Sequence, residues 1–300
     1  MYTFLKLLLI TICITGISCI GAKKMSEARE RLNKIKEGQV AEVKQIKQIE
    51  STVEIKLDEN KIDSILNQRF TTRLEKSSKE MDSVGKEIGM LDSLMSKKSD
   101  FRKSYKKIIV PKLALLDSFR KENSKRSQVY LMLEDGLNIS AYTLFDLAAF
   151  FGPGKYMIPE DKLDMATVAF SPMVDSIIIF SNKYKNIPRA ATLIILGFAD
   201  GTGFSQGPLF DTLAGKIGRR DVTKEELNQQ LSELRAEELI SLLTFQFIKR
   251  TPIIENYELL QVEYLGQGKG EQYPLRTIKD YQVDDERRRV VLCYWAVIPK

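Results

Sequence analysis

The chain contains no histidine, and its 300 residues include only three cysteines, at positions 13, 19 and 293. Without histidine the commonest metal ligand is missing, as are the Ser-His and Cys-His nucleophile pairs and the usual general base near neutral pH. Three scattered cysteines build neither a zinc site nor a disulfide framework, so cysteine pairing carries no information about redox compartment. Concentrated charge is also lacking. A net charge of +6 permits contact with anionic surfaces but falls short of the clustered base that nucleic-acid binding requires. Carboxylates are plentiful, yet with no aromatic sugar-binding run no pair can be singled out as a hydrolytic dyad. The expectation is a protein that is not an enzyme, with no metal, no cofactor and no nucleic-acid partner. What is present is 43% hydrophobic content, enough for a core in one or two domains.

The first 21 residues read as an export segment. "MYTFLK" supplies a short basic lead with Lys6, and "LLLITICITGIS" supplies an apolar run, too short for a comfortable membrane span of about 20 residues. Gly16 and Ser18 precede Cys19, and "GISC" resembles the lipobox of a bacterial lipoprotein, although Gly16 stands where leucine is usual. Three outcomes are compatible with these residues: lipidation of Cys19, an uncleaved membrane anchor, and plain secretion.

Residues 22–136 change texture. Lys, Glu, Ser and Asp dominate, and apolar residues recur with helical spacing at Leu32, Ile35, Val43, Ile46, Ile49, Val53 and Leu57. Leu74, Met81, Val84, Ile88, Leu91 and Met95 then step by sevens, threes and fours, an a/d heptad seam. Pro111 should break the pattern before a second helical piece that runs to Gly136. The mixed charges read as a solvated face. The region is expected to be a long helical stalk or hairpin, a coiled coil that pairs with itself or with another copy in a homo-oligomer.

Residues 137–300 read as a globular domain of strands and helices. "AYTLFDL", "ATLIILG", "YELLQVEYLG" and "RRRVVLCYWAVI" are strand-like, and Ser171 with Pro172 suggests a helix start. "TKEELNQQLSELRAEELISLLTFQFI" is a strong helix, with Thr223 and Glu226 spaced as a capping box. "ATLIILG" runs into "FADGTGFSQG", a strand followed by a glycine-rich turn. As a phosphate cradle this turn fails. Its glycines are one residue too widely spaced, no helix is expected directly after it, and Asp200 would face a pyrophosphate with like charge. "GPGK" at 152–155 and "GQGKG" at 266–270 lack their motif partners and read as ordinary turns. The better reading of 197–203 is a turn that presents one carboxylate, Asp200.

Four features stand in order: "GFAD" after the central strand, "NQQLSELRA" at 228–236, "GQGKGEQYP" at 266–274, and "ERRRV" at 286–290. Together they resemble the OmpA-like C-terminal domain, the peptidoglycan-binding module of outer-membrane proteins, of the peptidoglycan-associated lipoprotein and of flagellar stator subunits. The resemblance covers roughly residues 140 to 298, and "NxxLSxxRA" is its most specific part. It implies an α+β fold, a βαβαββ sandwich whose mixed sheet carries helices on one face. It also implies a function: non-covalent grip on the peptidoglycan stem peptide, anchoring a membrane-attached envelope protein to the cell wall.

By that resemblance Asp200 would pair with the ammonium of a diaminopimelate and Arg235 with its carboxylate, both side chains pointing outward. Asn228 matches the asparagine of the helix start, and Arg288 and Arg289 match the paired arginines before the last strand. The chain departs from the family at Phe198, Ala199 and Arg287, and by a 204–223 insert, "FSQGPLFDTLAGKIGRRDVT", where the family has a short loop. The insert could gate the pocket, widen ligand preference or bind a protein. The implied location is the bacterial envelope, facing the periplasm and attached to the outer membrane. Two other jobs suit the same layout. One is a motor or secretion-system subunit, against which stands the lack of an acid in residues 1–20. The other is a coiled-coil scaffold whose domain binds proteins.

Overall fold

The computed structural model describes residues 2–139, 141–146, 154–275 and 278–300, with side chains from residue 22 onward and not for 141–146. The readings on Cys13, Cys19 and the apolar run before them therefore lie outside the described side chains. Two compact units divide the chain: Met1–Ser51 with Thr71–Leu131, and Thr52–Phe70 with Met132–Lys300. Residues 52–70, which read as stalk, thus belong to the second unit, as do 132–136.

The first unit is helical. Helix α1 (Tyr2–Asp58) and helix α2 (Ser64–Ser96) both contribute to it, followed by α3 (Lys98–Ser104), α4 (Val110–Lys121) and most of α5 (Asn123–Ile139). The heptad seam does bury: Leu74, Met81, Val84, Ile88, Leu91 and Met95 are all 8% exposed or less. Its partners lie in the same chain. Ala28, Leu32 and Ile35 of α1 share a cluster with Val84 to Met95 and with Phe101, Ile109, Leu113 and Leu116. Pro111 does not break the path. A π turn at Tyr105–Ile109 links α3 to α4, and the Val110 N–H reaches back five residues to the Tyr105 carbonyl. The wider turn places a residue without an N–H at the start of α4, where that donor is not needed. Nor are all the stalk charges solvated. Arg126 grips Glu42 with two hydrogen bonds of 2.8 Å, and their side chains are 14% and 7% exposed.

In the second unit, strands β1 (Ala141–Asp146), β2 (Arg189–Gly197), β3 (Leu260–Gly268) and β4 (Val290–Pro299) form one sheet in the order β1-β4-β2-β3. β4 is antiparallel to β1 and β2, and β2 is parallel to β3. Helix α6 (Leu163–Lys183) connects β1 to β2, and α7 (Pro208–Ile217) with α8 (Lys224–Arg250) connects β2 to β3. The architecture is α+β. Leaving α7 aside, the order reads βαβαββ.

Alternation along the strands sets the core. Ala191, Leu193 and Ile195 of β2 and Val291, Cys293, Trp295 and Val297 of β4 pack against Phe170, Val174 and Ile177 of α6 and Leu239 and Leu243 of α8. The expectation of helices on one face is only half of the arrangement. Every residue of β2 and β4 is buried, so the opposite face is covered too. Segment 52–70 supplies buried Ile62, Leu66 and Phe70 to this unit, and Arg69 pairs with Glu263 on that opposite face. Ser171 and Pro172 do not open a helix. They lie inside α6, where the Ser171 hydroxyl donates to the Thr167 carbonyl at 2.8 Å. α6 is also, among the described residues, the one helix long and apolar enough to cross a membrane. Here it contributes Phe170, Val174 and Ile177 to a core.

Candidate functional site

The C-terminal end of β2 gathers the sequence features. Gly197 closes the strand because α8 lies directly on it: a Cβ there would sit 2.1 Å from the Ser232 carbonyl oxygen. Its register partner Gly268 is under the same constraint, with the Ser232 hydroxyl 2.5 Å from where a Cβ would be. The serine of "LSELRA" is thus a close-approach residue, fully buried, whose hydroxyl donates to Gln229 O and accepts from Gly270 N. α8 starts where the sequence indicates. The Thr223 hydroxyl accepts from the Glu226 N–H at 3.2 Å, and the Glu226 carboxylate accepts from the Thr223 N–H at 2.9 Å.

Beyond Gly197 the chain is held by backbone hydrogen bonds on both sides. Phe198 N–H donates to Val290 O, Ala199 N–H to Gly270 O, and Gly201 N–H to Val283 O. This fixes Asp200, which does not point outward: it is 8% exposed. Its Oδ1 accepts from the Thr202 N–H at 3.0 Å, an Asx turn, and its Oδ2 accepts from Arg289 Nε. Burial alone would raise the Asp200 pKa, but the hydrogen bonds from Arg289 and Thr202 outweigh it and hold the carboxyl below its ordinary range.

Arg235 is deeper still, 2% exposed. Its Nη1 donates to Phe198 O at 3.0 Å and its Nε to Lys155 O at 3.1 Å, tying segment 154–158 to the end of β2. Burial, with repulsion from Arg289 and against attraction from Asp200, brings its pKa down to about 10, so it remains charged at neutral pH. A residue read as an outward-pointing ligand contact is thus first a structural staple.

Asp200, Asn228, Arg235 and Arg289 nonetheless line one cavity of about 360 Å³, together with Phe204, Leu209 and Leu231. Asn228 is buried and committed to the Glu271 carboxylate at 2.8 Å and to Thr202 O at 3.3 Å. Arg288 does not line this cavity. It donates to the Gln282, Val283 and Glu271 carbonyls and so shapes the 271–283 segment. The departures Phe198 and Ala199 are buried core residues, 4% and 0% exposed, and Arg287 folds outside the cavity onto Asp285 and Asp280.

Sequence reasoning missed two parts of the site. Glu271 acts as a hub, accepting from Asn228 and pairing with Lys224 at 3.2 Å, while Lys224 also reaches the Gly201 carbonyl. The insert forms a helix, α7, immediately after the glycine-rich turn, against the expectation that none opens there. Its apolar spacing, Leu209, Phe210, Leu213, Ala214 and Ile217, was the available signal. Leu213 packs with Ala199, Leu227, Leu231 and Leu234 in a small second core, and Phe204 and Leu209 form one wall of the cavity.

No family model and no curated protein matches the chain. Among solved structures it is similar to a putative MotB like protein from Desulfovibrio vulgaris, with 15% identity over 59% of this chain and 94% of that one, at a TM-score of 0.28. A likeness of that size carries no statement about activity.

Proposed function

We propose that the domain at 137–300 binds peptidoglycan without covalent chemistry and so anchors a membrane-attached protein of the bacterial envelope to the cell wall. The observation that carries this reading is a convergence. Asp200, Arg235 and Arg289, as many as 89 residues apart, line one cavity at the end of β2. One carboxylate beside two guanidinium groups suits the paired ammonium and carboxylate of a diaminopimelate. The resemblance of the "GFAD", "NQQLSELRA" and "ERRRV" segments to the OmpA-like family supports the same ligand. Attachment to the membrane through residues 1–21, with Cys19 lipidated, and a periplasm-facing position belong to the same proposal.

The test is co-sedimentation of the full chain, in detergent, with purified sacculi. The wild type should pellet with the wall, and Asp200→Asn, which keeps an acceptor for the Thr202 N–H, should stay in solution with an unchanged circular dichroism spectrum. A folded wild-type chain that never pellets sinks the proposal.

A further inference from the structure

The chain's unbalanced charge is concentrated at one end of the first unit. Residues 22–27 and 96–107 hold eight cations and two carboxylates, and that excess of six equals the net +6 of the whole chain. The rest of the sequence is therefore balanced. The two runs are distant in sequence, and the antiparallel packing of α1 and α2 brings them together. Gln39 donates to the Met81 carbonyl and Arg29 to the Met95 carbonyl, so α2 runs towards the N-terminal end of α1. The chain turns over there. Met25 and Tyr105 pack on the cluster that holds Phe101, and Lys24 Nζ lies 5.6 Å from the centre of the Tyr105 ring. The return path leads away again, with Asp117 level with Arg31 and Arg126 level with Glu42.

Lys97, Lys98, Arg102, Lys103, Lys106 and Lys107 are all exposed, as are Lys23 and Lys24, and among the described residues none of these eight pairs with a carboxylate. Elsewhere in the unit exposed cations do pair: Lys34, Lys79 and Lys112 with glutamates and Arg31 with Asp117. Eight like charges on one end repel one another and weaken the compact state unless a counter-charge meets them. Position says which. α1 is one helix from Tyr2 onward, so this end lies on the same rod as the apolar run "LLLITICITGIS". At about 1.5 Å per residue, Lys24 stands about 9 Å beyond Ser18, roughly one Debye length at physiological ionic strength. We propose that this basic cap is a membrane-surface site that binds the anionic headgroups of the phospholipids around the N-terminal attachment. Lysine ammonium groups meet phosphodiesters as point charges, so the cap responds to the density of negative charge in the headgroup plane. It supplies the second signal that a single acyl chain needs for stable anchoring. A lipidated Cys19 and an uncleaved apolar run bring the same end of the unit to the bilayer. This inference rests on the membrane attachment proposed above and not on wall binding, and it adds which lipids that attachment selects.

The full chain, reconstituted by detergent removal into liposomes of phosphatidylcholine alone or of phosphatidylcholine with phosphatidylglycerol, tests it. Flotation reports attachment, and amine acetylation read by mass spectrometry reports contact at each lysine. In the anionic liposomes Lys97, Lys98, Lys106 and Lys107 should be acetylated about fivefold more slowly or less than in the neutral ones, the share one surface cation contributes. Lys34 and Lys79 should react alike in both. The protection should vanish in about 1 M NaCl, where screening acts within about 3 Å. Lys106→Gln/Lys107→Gln should raise the phosphatidylglycerol fraction at which Lys97 and Lys98 become protected, with an unchanged circular dichroism spectrum, and Lys34→Gln/Lys79→Gln should behave as wild type. Equal acetylation in the two lipids, from a chain that floats with both, overturns the headgroup site and leaves the membrane attachment standing. Flotation with the anionic liposomes alone supports the cap and refutes attachment through residues 1–21. A chain that floats with neither overturns both.

Discussion

Replacing Asp200 by alanine tests whether the cavity's charges hold the fold as well as a ligand. The side chain sits at 8% exposure between Arg289 and Arg235, itself 2% exposed. Alanine removes the one carboxylate among the described residues that line the cavity and leaves two guanidinium groups there at low solvent access. Removing one partner of a buried ion pair costs about 3–5 kcal/mol, mostly through the charge left behind. In a unit of this size each kcal/mol lowers Tm by about 2–4 °C, so Asp200→Ala should melt roughly 6–20 °C below wild type. The double variant Asp200→Ala/Arg289→Ala should recover part of that loss, because it also removes the stranded cation. Calorimetry of the wild type, the two single variants and the double variant closes the cycle, with an expected coupling of about 0.5–3 kcal/mol. Additive single effects, with Asp200→Ala within about 1 kcal/mol of wild type, would show a hydrated pair and refute the reasoning. The same arithmetic makes alanine a poor probe of binding here and asparagine the better one.

Other expectations are independent of the ligand. Gly197→Ala places a methyl 2.1 Å from the Ser232 carbonyl and should cost about 1–3 kcal/mol or more, whereas Gly203→Ala, with nothing within 4 Å, should cost far less; equal denaturation midpoints would refute the close approach. Glu42→Ala leaves Arg126 with the Phe119 carbonyl and ring and should cost about 1.5–3 kcal/mol, while Glu30→Ala, which breaks only an exposed pair with Lys34, should leave the melting curve unchanged. Leu213→Ala should cost about 2–5 kcal/mol if α7 is built into a core, measured by urea titration; a change below about 0.5 kcal/mol would mean that α7 is loosely held. Asp200 is held below its ordinary range chiefly by Arg289 and Thr202, and Asp135 chiefly by Lys183 and then Tyr184. A lowered folded-state pKa gives stability that is present above the unfolded value, about 3.9, and lost as pH falls through the folded one. The stability gap between wild type and Asp200→Asn should therefore close on acidification below about pH 4, and a gap that is constant with pH would contradict it.

Much of the fold was legible because its signals are local. The heptad seam at Leu74 to Met95, the apolar and β-branched runs of the strands and the Thr223–Glu226 capping box each lie within one element, and each forms. What escaped depends on distant partners. Pro111 reads as a break because nothing nearby announces a π turn, and Pro172 reads as a helix start because a proline is ordinarily excluded from a helix interior, where it lies in α6. Glu42 reads as one more solvated charge because its partner, Arg126, lies 84 residues away. Arg189 is 0% exposed and donates to Ser181, Lys185 and Glu255; nothing in the run "PRAATLIILG" separates it from a surface cation at the mouth of a strand. At the site, the residue types of Asp200, Arg235 and Arg289 were readable but their burial was not, since it is set by α7 and by segment 154–158.

That difference changes what the "NQQLSELRA" segment means physically. Ser232 is small because β2 and β3 pass beneath it at Gly197 and Gly268, and Ala236 is small because the same helix face runs on over Gly266. Arg235 lies between them in sequence, projects past the strand ends, and fastens Phe198 and Lys155. The motif thus encodes first how closely a helix can lie on two parallel strands. Its arginine reaches the cavity as a consequence of that closeness. The capping box at Thr223 starts α8 directly after the insert. Of the roles open to the insert, gating the cavity is the hardest to reconcile with its packing. Leu213 is fully buried against Leu227, Leu231 and Leu234, and burial of such a side chain contributes about 1.5–3 kcal/mol. Swinging α7 away would give up that contact and expose the α8 leucines beneath it, so α7 acts as a fixed wall. Any movement that admits a ligand then falls to side chains at the rim, and among the charged ones there Arg289 is the least anchored.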